Sequence, residues 1–292
     1  MDSTFIKLPV KFRNDRIFLY PVTENGDRLA FYTDTGGGGM FIEPDIAEQL
    51  NLPVVRKEIA KDEEHLFVSF PNFQENTAIP PGFQSDELLL LSDIPWGQGF
   101  LGQSWFADRI WKLDYLEKKM SYSQNGTDYD KNGYRSIPIG FQHDDFGNRQ
   151  ASFPRVQAKI DGESLDFLFD TGATVYLTEA ALETFGNEKE EFQGTSFITQ
   201  SQFDKWRTHH PEWPVIEHAD RYENQAMIQV SEVEVAGYKI GPVWFTRRPD
   251  SNFHEYMSKV MDKRIDGALG GSVFKYFSII IDYPNAVVHF NK

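Results

Sequence analysis

The chain has 292 residues, of which 40% are hydrophobic and 25% charged, a composition typical of a folded protein with one large or two modest domains. It has no cysteine, which excludes disulfides, thiolate metal sites and a cysteine nucleophile, and its net charge of −15 opposes binding to nucleic acid. No apolar run approaches the roughly 18 residues that a membrane-spanning helix needs. We therefore expect a soluble protein, either cytoplasmic or, if a signal peptide was removed, periplasmic or secreted.

Two hairpins are predicted at corresponding places in the two halves of the chain. Asn25-Gly26 and Asp161-Gly162 each open a mostly apolar stretch that runs into an Asp-Thr-Gly tripeptide. These dipeptides favour two-residue β-turns, in which both central residues take a positive φ. Segments 25–36 and 161–172 align without a gap at an offset of 136 residues, which indicates a tandem duplication.

Each copy is predicted to end a strand on an aspartate, Asp34 in the first half and Asp170 in the second. A short helix is predicted soon after each aspartate, over residues 43–50 and 178–182. Pro44 suits the first turn of such a helix, because its missing N–H would have no partner there.

Three further pairs of segments recur in the same order in both halves. They are 99–106 with 267–274, 114–115 with 282–283 at the same offset of 168, and, more weakly, 8–12 with 137–141. Short apolar and alternating runs dominate the rest of the chain, which favours a mainly β fold with a few short helices.

A polar stretch rich in Gly, Asn and Asp, residues 123–133, marks the predicted boundary between the halves. The prediction is therefore an N-terminal lobe, 1–128, and a C-terminal lobe, 129–292, each carrying one of the two aspartates. The second half is longer between its repeated blocks, and we expect the extra residues at about 188–223.

The two Asp-Thr-Gly motifs, each with a downstream hydrophobic-hydrophobic-Gly block, resemble the pepsin/retropepsin superfamily of aspartic peptidases in its single-chain form. The resemblance implies an all-β, bilobal pepsin-like fold with two pseudo-twofold-related lobes around a cleft. It also implies an aspartic endopeptidase that hydrolyses a peptide or protein substrate without cofactor or metal. Because both half-sites lie on one chain, a monomer should be competent.

The expected chemistry depends on Asp34 and Asp170 acting as a pair. Two carboxylates a few ångströms apart cannot both ionise, so the pair keeps one proton over a range of pH. The ionised oxygen can take a proton from a bound water while the protonated partner polarises the substrate carbonyl.

The resemblance also implies supporting roles for residues around the pair. Thr35 and Thr171 would lock the two loops through hydrogen bonds to the opposite strand. Gly36 and Gly172 would allow close backbone approach and donate amide hydrogens to the carboxylates. Two hydrophobic-Gly pairs would hold the loops rigid from behind: Leu101, Gly102, Leu269 and Gly270.

A flap over the substrate, usually bearing a tyrosine, is also implied, but the first half has no tyrosine between Tyr32 and Tyr115. If the flap lies at about 66–73, a phenylalanine at position 67, 70 or 73 takes its place. The corresponding hairpin of the second half is expected at 226–245.

Gly37 stands where the superfamily usually has Ser, Thr or Ala, and neither Gly37 nor Ala173 carries a hydroxyl. A hydroxyl donating to the carboxylates would lower their pKa, so its absence predicts a less acidic pH optimum than in pepsin-like enzymes. Gly37 also favours a rival interpretation, a catalytically inactive pepsin-fold protein that binds peptides. A third possibility is an enzyme that cuts only one partner protein.

Overall fold

The computed structural model describes residues 5–60, 63–94, 96–123, 129–186 and 190–292. Its strands, in chain order, are β1 (Ile6–Lys7), β2 (Val10–Arg13), β3 (Arg16–Leu19), β4 (Phe31–Thr33), β5 (Met40–Ile42), β6 (Val54–Ala60), β7 (Glu63–Ser69), β8 (Glu87–Leu90), β9 (Gly99–Leu101), β10 (Ile110–Asp114), β11 (Lys119–Ser123), β12 (Arg135–Pro138), β13 (Arg155–Ile160), β14 (Glu163–Phe169), β15 (Thr174–Tyr176), β16 (Phe192–Gly194), β17 (Ser196–Thr199), β18 (Val215–Ile216), β19 (Met227–Val230), β20 (Val233–Val235), β21 (Tyr238–Ile240), β22 (Val243–Arg248), β23 (Gly267–Leu269), β24 (Ser278–Asp282) and β25 (Val287–Asn291). The helices are α1 (Pro44–Gln49), α2 (Gln103–Phe106), α3 (Glu179–Phe185), α4 (Gln200–His209) and α5 (Gly271–Phe274), with shorter helical turns at Glu75–Thr77, Asn252–Tyr256 and Met257–Val260. The predicted mainly β fold is confirmed.

A six-stranded antiparallel sheet joins the two halves of the chain, in the order β1-β11-β10-β24-β25-β12. Each half contributes three neighbouring strands, and the central pair β10–β24 places Lys112 opposite Ile280. These two positions differ by 168, the offset of the repeated blocks, so a pseudo-twofold axis passes through the pair. The predicted boundary 123–133 begins at Ser123, the last residue of β11, and its residues 124–128 lie outside the described residues. The division into lobes 1–128 and 129–292 therefore stays a prediction.

Each half also builds a sheet of its own, with eight strands in the order β2-β3-β4-β9-β5-β8-β7-β6 and nine in the order β18-β19-β22-β17-β23-β14-β13-β20-β21. A hairpin leads into each Asp-Thr-Gly loop, β3–β4 in the first half and β13–β14 in the second. The last strand of each hairpin then pairs in parallel with a later strand, β4 with β9 and β14 with β23. This parallel pairing brings the repeated 99–106 and 267–274 segments behind the two loops.

The two hairpin turns differ, although both were predicted from an Xaa-Gly dipeptide. Asp161 and Gly162 have φ of 51° and 78°, as a two-residue turn with two positive φ values requires. Of the pair Asn25 and Gly26, only Gly26 has a positive φ, 97°, and the amide of Thr23 donates to Asp27 O at 2.8 Å around a longer turn. The prediction of a two-residue turn there is wrong, because Asn25 does not enter the left-handed region.

The extra length of the second half begins earlier than 188. In the first half, β5 pairs with β9 and β8. The corresponding strand of the second half is β17, which pairs with β23 and β22. Phe41 of β5 follows Asp34 by seven positions, whereas Phe197 of β17 follows Asp170 by 27. The insertion directly after the second Asp-Thr-Gly is therefore β15–α3–β16. The predicted helix α3 exists, but the counterpart of α1 is α4, which follows β17.

One main hydrophobic core runs through both halves and through the inner face of the six-stranded sheet. It is rich in aromatic side chains, such as Phe169 stacked on Phe274 at 4.1 Å between ring centroids. Burial of side chains of this size contributes about 1.5–3 kcal/mol each, so the core fixes the two loops relative to one another. No helix among the described residues is long and apolar enough to cross a membrane.

Candidate active site

Parallel strand pairing places both aspartates at the ends of buried strands. The amide of Asp34 donates to Leu101 O at 3.0 Å, and the amide of Asp170 donates to Leu269 O at 2.8 Å. Leu101 and Leu269 are fully buried. Each aspartate is therefore attached through its backbone to a strand that does not leave the core.

The two loops lie back to back and exchange hydrogen bonds through their threonines. The amide of Thr35 donates to Thr171 Oγ1 at 3.1 Å, and the amide of Thr171 donates to Thr35 Oγ1 at 3.0 Å. The Thr35 hydroxyl in turn donates to Phe169 O at 2.6 Å. Both threonines are 1% exposed or less. Loss of either hydroxyl would therefore leave a buried amide without a hydrogen-bond partner, which is costly to stability.

The glycines of the loops lie against the carboxylates. The amide of Gly36 donates to Asp34 Oδ1 at 2.8 Å, and the amide of Gly172 donates to Asp170 Oδ1 at 2.9 Å. A Cβ added to Gly172 would lie 2.1 Å from Asp34 Cγ, and one added to Gly36 would lie 2.6 Å from Asp170 Cγ. Each loop thus bonds its own aspartate and touches the other, which is possible only without side chains at these two positions.

Gly102 and Gly270 are also positions of close backbone approach. A Cβ at Gly102 would lie 2.5 Å from Gly39 O, and one at Gly270 would lie 2.1 Å from Thr195 O and 2.9 Å from Asp170 O. All ten residues singled out from the sequence are gathered in one place: Asp34, Thr35, Gly36, Leu101, Gly102, Asp170, Thr171, Gly172, Leu269 and Gly270.

The two carboxyl groups share a hydrogen bond, and burial raises the pKa of both. At Asp34 the bond from Asp170 and the amide hydrogens oppose the rise, because they stabilise the charged form. At Asp170 the negative charge of Asp34 adds to burial and raises the pKa well above its usual range. The pair therefore keeps a proton at a pH where an isolated carboxyl has lost it. Asp170 is 9% exposed and Asp34 is half-buried, so Asp34 is the more open to water.

Tyr32 is a residue of the site that the sequence analysis did not single out. Its hydroxyl donates to Gly172 O at 2.8 Å and lies 2.8 Å from Thr174 Oγ1, so it links the first half to the second loop. Burial, with a smaller effect from Asp34, raises the pKa of Tyr32, which keeps its proton on the hydroxyl. The only available signal was its place two residues before Asp34, where the second half has Leu168.

Gly37 is explained by Phe100, another residue the sequence analysis did not single out. A Cβ at Gly37 would lie 2.3 Å from Phe100 Cζ and 3.0 Å from Asp34 Cγ. Phe100 also packs near Phe41, with 5.5 Å between ring centroids. A ring on a strand remote in sequence therefore occupies the space that a side chain at position 37 would need.

The hairpin β6–β7 lies at the edge of the eight-stranded sheet, so the expected flap at 66–73 covers only the end of β7. Phe67 belongs to this hairpin, opposite Val55. Phe70 and Phe73 instead pack on Phe31, 6.2 and 6.4 Å between ring centroids, beneath the sheet. Of the three candidates only Phe67 is on the hairpin, whose residues 61–62 lie outside the described ranges. In the second half, 226–245 holds β19, β20, β21 and the start of β22, and half of these residues are buried.

No family model and no curated protein matches the chain. Among solved structures it is similar to an aspartic proteinase from Irpex lacteus, with a TM-score of 0.56 and 9% identity over 99% of this chain and 97% of that one. It is also similar to basic 7S globulin from soybean, with a TM-score of 0.52 and 8% identity over 99% and 95% of the two chains. These similarities confirm the bilobal fold of pepsin-like aspartic proteinases. The resemblance drawn from the two Asp-Thr-Gly motifs is thus confirmed for the fold.

Proposed function

We propose that the chain is an aspartic endopeptidase, which hydrolyses peptide bonds with a water activated by Asp34 and Asp170. The observation that carries this proposal is the contact between the two loops, in which each glycine lies against the opposite carboxylate and the two carboxyl groups share a hydrogen bond. Holding two carboxyl groups buried and this close together is costly to stability, so the pair is better explained by a chemical role than by a structural one.

The proposed mechanism gives the two acids different tasks. A water between them loses a proton to the ionised carboxylate, and the protonated partner donates to the carbonyl oxygen of the scissile bond. The tetrahedral intermediate then collapses as the leaving amine takes up a proton. Thr35, Thr171 and the loop glycines fix the geometry, since reaction rates fall steeply when reacting groups are displaced. The substrate would lie extended between the lobes 1–128 and 129–292, with β6–β7 as the covering flap.

Carboxamide variants test the pair directly. Asp34→Asn and Asp170→Asn should each abolish cleavage of denatured protein substrates, and the double variant should be no worse, because the two groups act as a unit. Asp145→Asn, at an exposed loop position, is the matched control and should keep full activity. Near wild-type activity in either single variant would refute the assignment.

Activity should also survive dilution, because one chain holds both half-sites. The specific activity is measured over a concentration series alongside the mass of the species in solution. A loss of activity that follows the dissociation of a dimer would contradict the proposal.

The rival function, peptide binding without turnover, is favoured by one observation: neither Gly37 nor Ala173 supplies a hydroxyl to the carboxylates. It predicts that the wild type and Asp34→Asn bind the same peptides with equal affinity and that neither cleaves them at any pH from about 3 to 8. Cleavage by the wild type alone excludes it.

A further inference from the structure

A second polar cluster lies on the outer face of the six-stranded sheet, away from the main core. Ile280 on that face packs with Tyr129 in a small separate cluster, whereas the alternate residues of β24 belong to the main core. Asp282 and His289 are buried here, at 0% and 3% exposure, but Ser136 is exposed on the edge strand β12. The cluster therefore leads from a surface hydroxyl to a buried carboxylate.

Three hydrogen bonds connect the cluster from end to end. Ser136 Oγ lies 2.6 Å from His289 Nδ1, and His289 Nε2 lies 2.8 Å from the Tyr129 hydroxyl. The Tyr129 hydroxyl donates to Asp282 Oδ2 at 2.8 Å. The amide and the side-chain nitrogen of Asn285 also donate to Asp282, at 2.9 and 2.8 Å. The Asp282 carboxylate thus accepts every bond it makes here.

These bonds fix the direction of each proton. Because Tyr129 donates its single hydroxyl hydrogen to Asp282, the Tyr129 oxygen must accept from His289, and Nε2 carries the hydrogen. Nδ1 is then the unprotonated nitrogen, which accepts the Ser136 hydroxyl. A serine that donates to a neutral imidazole, itself oriented toward a buried carboxylate, is the arrangement that activates serine nucleophiles.

The surroundings keep His289 in the neutral form that a base requires. Burial, assisted by Lys131, lowers the pKa of His289, and Asp282 opposes the effect only in part. Lys131 lies over the Tyr129 ring at 4.5 Å. At neutral pH the imidazole is therefore free to accept the serine proton.

The fold does not require this chain of bonds, as the first half shows. Ser136 corresponds to Lys7 at the offset of 129 that relates residues 137–141 to 8–12. His289 and Asp282 correspond to Ser121 and Asp114 at the offset of 168. The same three strands form there without a histidine, so the relay is a feature of this half alone.

We propose that Ser136 is an activated nucleophile, a covalent modification site for acyl and phosphonyl donors that is separate from the aspartate pair. With an alkyl fluorophosphonate, Ser136 Oγ forms a bond to phosphorus, the P–F bond breaks, and fluoride leaves with its electron pair. The hydroxyl proton passes to Nδ1 of His289. The resulting imidazolium still donates its Nε2–H to the Tyr129 oxygen, and the Tyr129 hydroxyl still donates to Asp282. The imidazolium then releases one proton to water.

The test is labelling of the full chain with an alkyl fluorophosphonate, followed by mass mapping of the modified peptides. Ser136 should react about 100-fold faster than the exposed Ser85, Ser201 and Ser231, which lack a histidine partner among the described residues. The rate should stay near its maximum at about pH 6.5, where an ordinary imidazole is half protonated. Labelling in the Asp34→Asn background should be unchanged, which separates this site from the proposed peptidase.

Two tyrosine variants supply the control. Tyr129→Phe keeps the ring but breaks the relay, and it should slow labelling at Ser136 about tenfold. Tyr134→Phe removes a hydroxyl on the same face that bonds Ser278 Oγ at 3.0 Å, outside the relay, and should have no effect. Labelling of Ser136 no faster than of the other three serines would overturn the proposal, and so would equal rates in the two tyrosine variants with their melting temperatures matched.

Discussion

An alanine at Gly172 is the smallest change that would push the two Asp-Thr-Gly loops apart. The added methyl carbon would lie 2.1 Å from Asp34 Cγ and 2.3 and 2.5 Å from the two carboxylate oxygens. The φ of Gly172 is not in the left-handed region, so alanine meets no backbone strain there and the whole effect is steric. Gly38 is the matched control, because a Cβ at that position has no atom within 4 Å.

The size of the effect follows from these distances. Ordinary carbon contacts begin near 3.4 Å, so the loop or the Asp34 carboxylate must move by about 1 Å. Overpacking of a well-packed site costs about 1–3 kcal/mol of unfolding free energy. A displacement of about 1 Å at reacting groups lowers the rate by about 100-fold. Gly172→Ala should therefore fold, but with kcat/KM reduced about 100-fold or more.

The assay compares Gly172→Ala, Gly38→Ala and the wild type with one quenched fluorescent peptide, alongside thermal unfolding. Gly38→Ala should match the wild type in both measurements. If Gly172→Ala kept wild-type kcat/KM while remaining folded, the carboxylate of Asp34 would not need its position against Gly172, and the proposed geometry of the site would be wrong.

Four further variants have expected outcomes. Tyr32→Phe loses the bond to Gly172 O but keeps the ring, so kcat should fall about tenfold with KM little changed; an unaltered kcat in steady-state assays would count against a positioning role. Thr35→Val leaves a buried amide and a buried carbonyl unpaired and should lower the unfolding free energy by about 2 kcal/mol or more in urea titration; a loss within error would contradict this. Because burial raises the pKa of Asp170, the native state binds a proton that the unfolded chain has released, so this stability is lost as pH rises. The melting temperature of Asp170→Asn should therefore fall less than that of the wild type as the pH rises from about 4 to 7. An equal or larger fall would show that the stability change has the opposite sign. Ala173→Ser adds a donor near Asp170 and should move the acidic limb of the pH–rate profile to lower pH, whereas no shift or an upward shift would disprove the hydroxyl argument.

The parts of the site that could be predicted lie within short segments that occur once in each half of the chain. A turn dipeptide, an apolar strand and Asp-Thr-Gly lie within twelve consecutive residues, so their order is visible without any knowledge of tertiary contacts. The second occurrence, at a fixed offset, adds the pseudo-twofold axis. The meeting of Asp34 and Asp170 then followed from the resemblance to a known superfamily, and the structure places both side chains together.

The parts that escaped prediction depend on contacts between distant segments. Tyr32 looks like an ordinary strand residue, and only the chain path shows that its hydroxyl reaches Gly172 across 140 positions. The extra residues of the second half were predicted too late in the chain, because α3 follows its Asp-Thr-Gly motif much as α1 does. The insertion is β15–α3–β16, and β16 hydrogen-bonds to the first half. There the amide of Gly194 donates to Asn14 O at 2.7 Å, a contact that no local pattern indicates.

Gly37 shows how such a distant contact changes the meaning of a residue. From sequence alone, a glycine at this position suggests that one half-site has lost a donor to its carboxylate. In the structure, Phe100 Cζ lies 2.3 Å from the place of a Cβ, so a serine could enter only if the ring moved away from Tyr32 and Phe41, its neighbours at 6.0 and 5.5 Å between centroids. Gly37 is thus coupled to an aromatic side chain packed beside Asp34, and its absence of a hydroxyl follows from packing. For that reason Gly37 gives the non-catalytic interpretation less support than the sequence suggested, and Ala173 remains as the other position that lacks a hydroxyl.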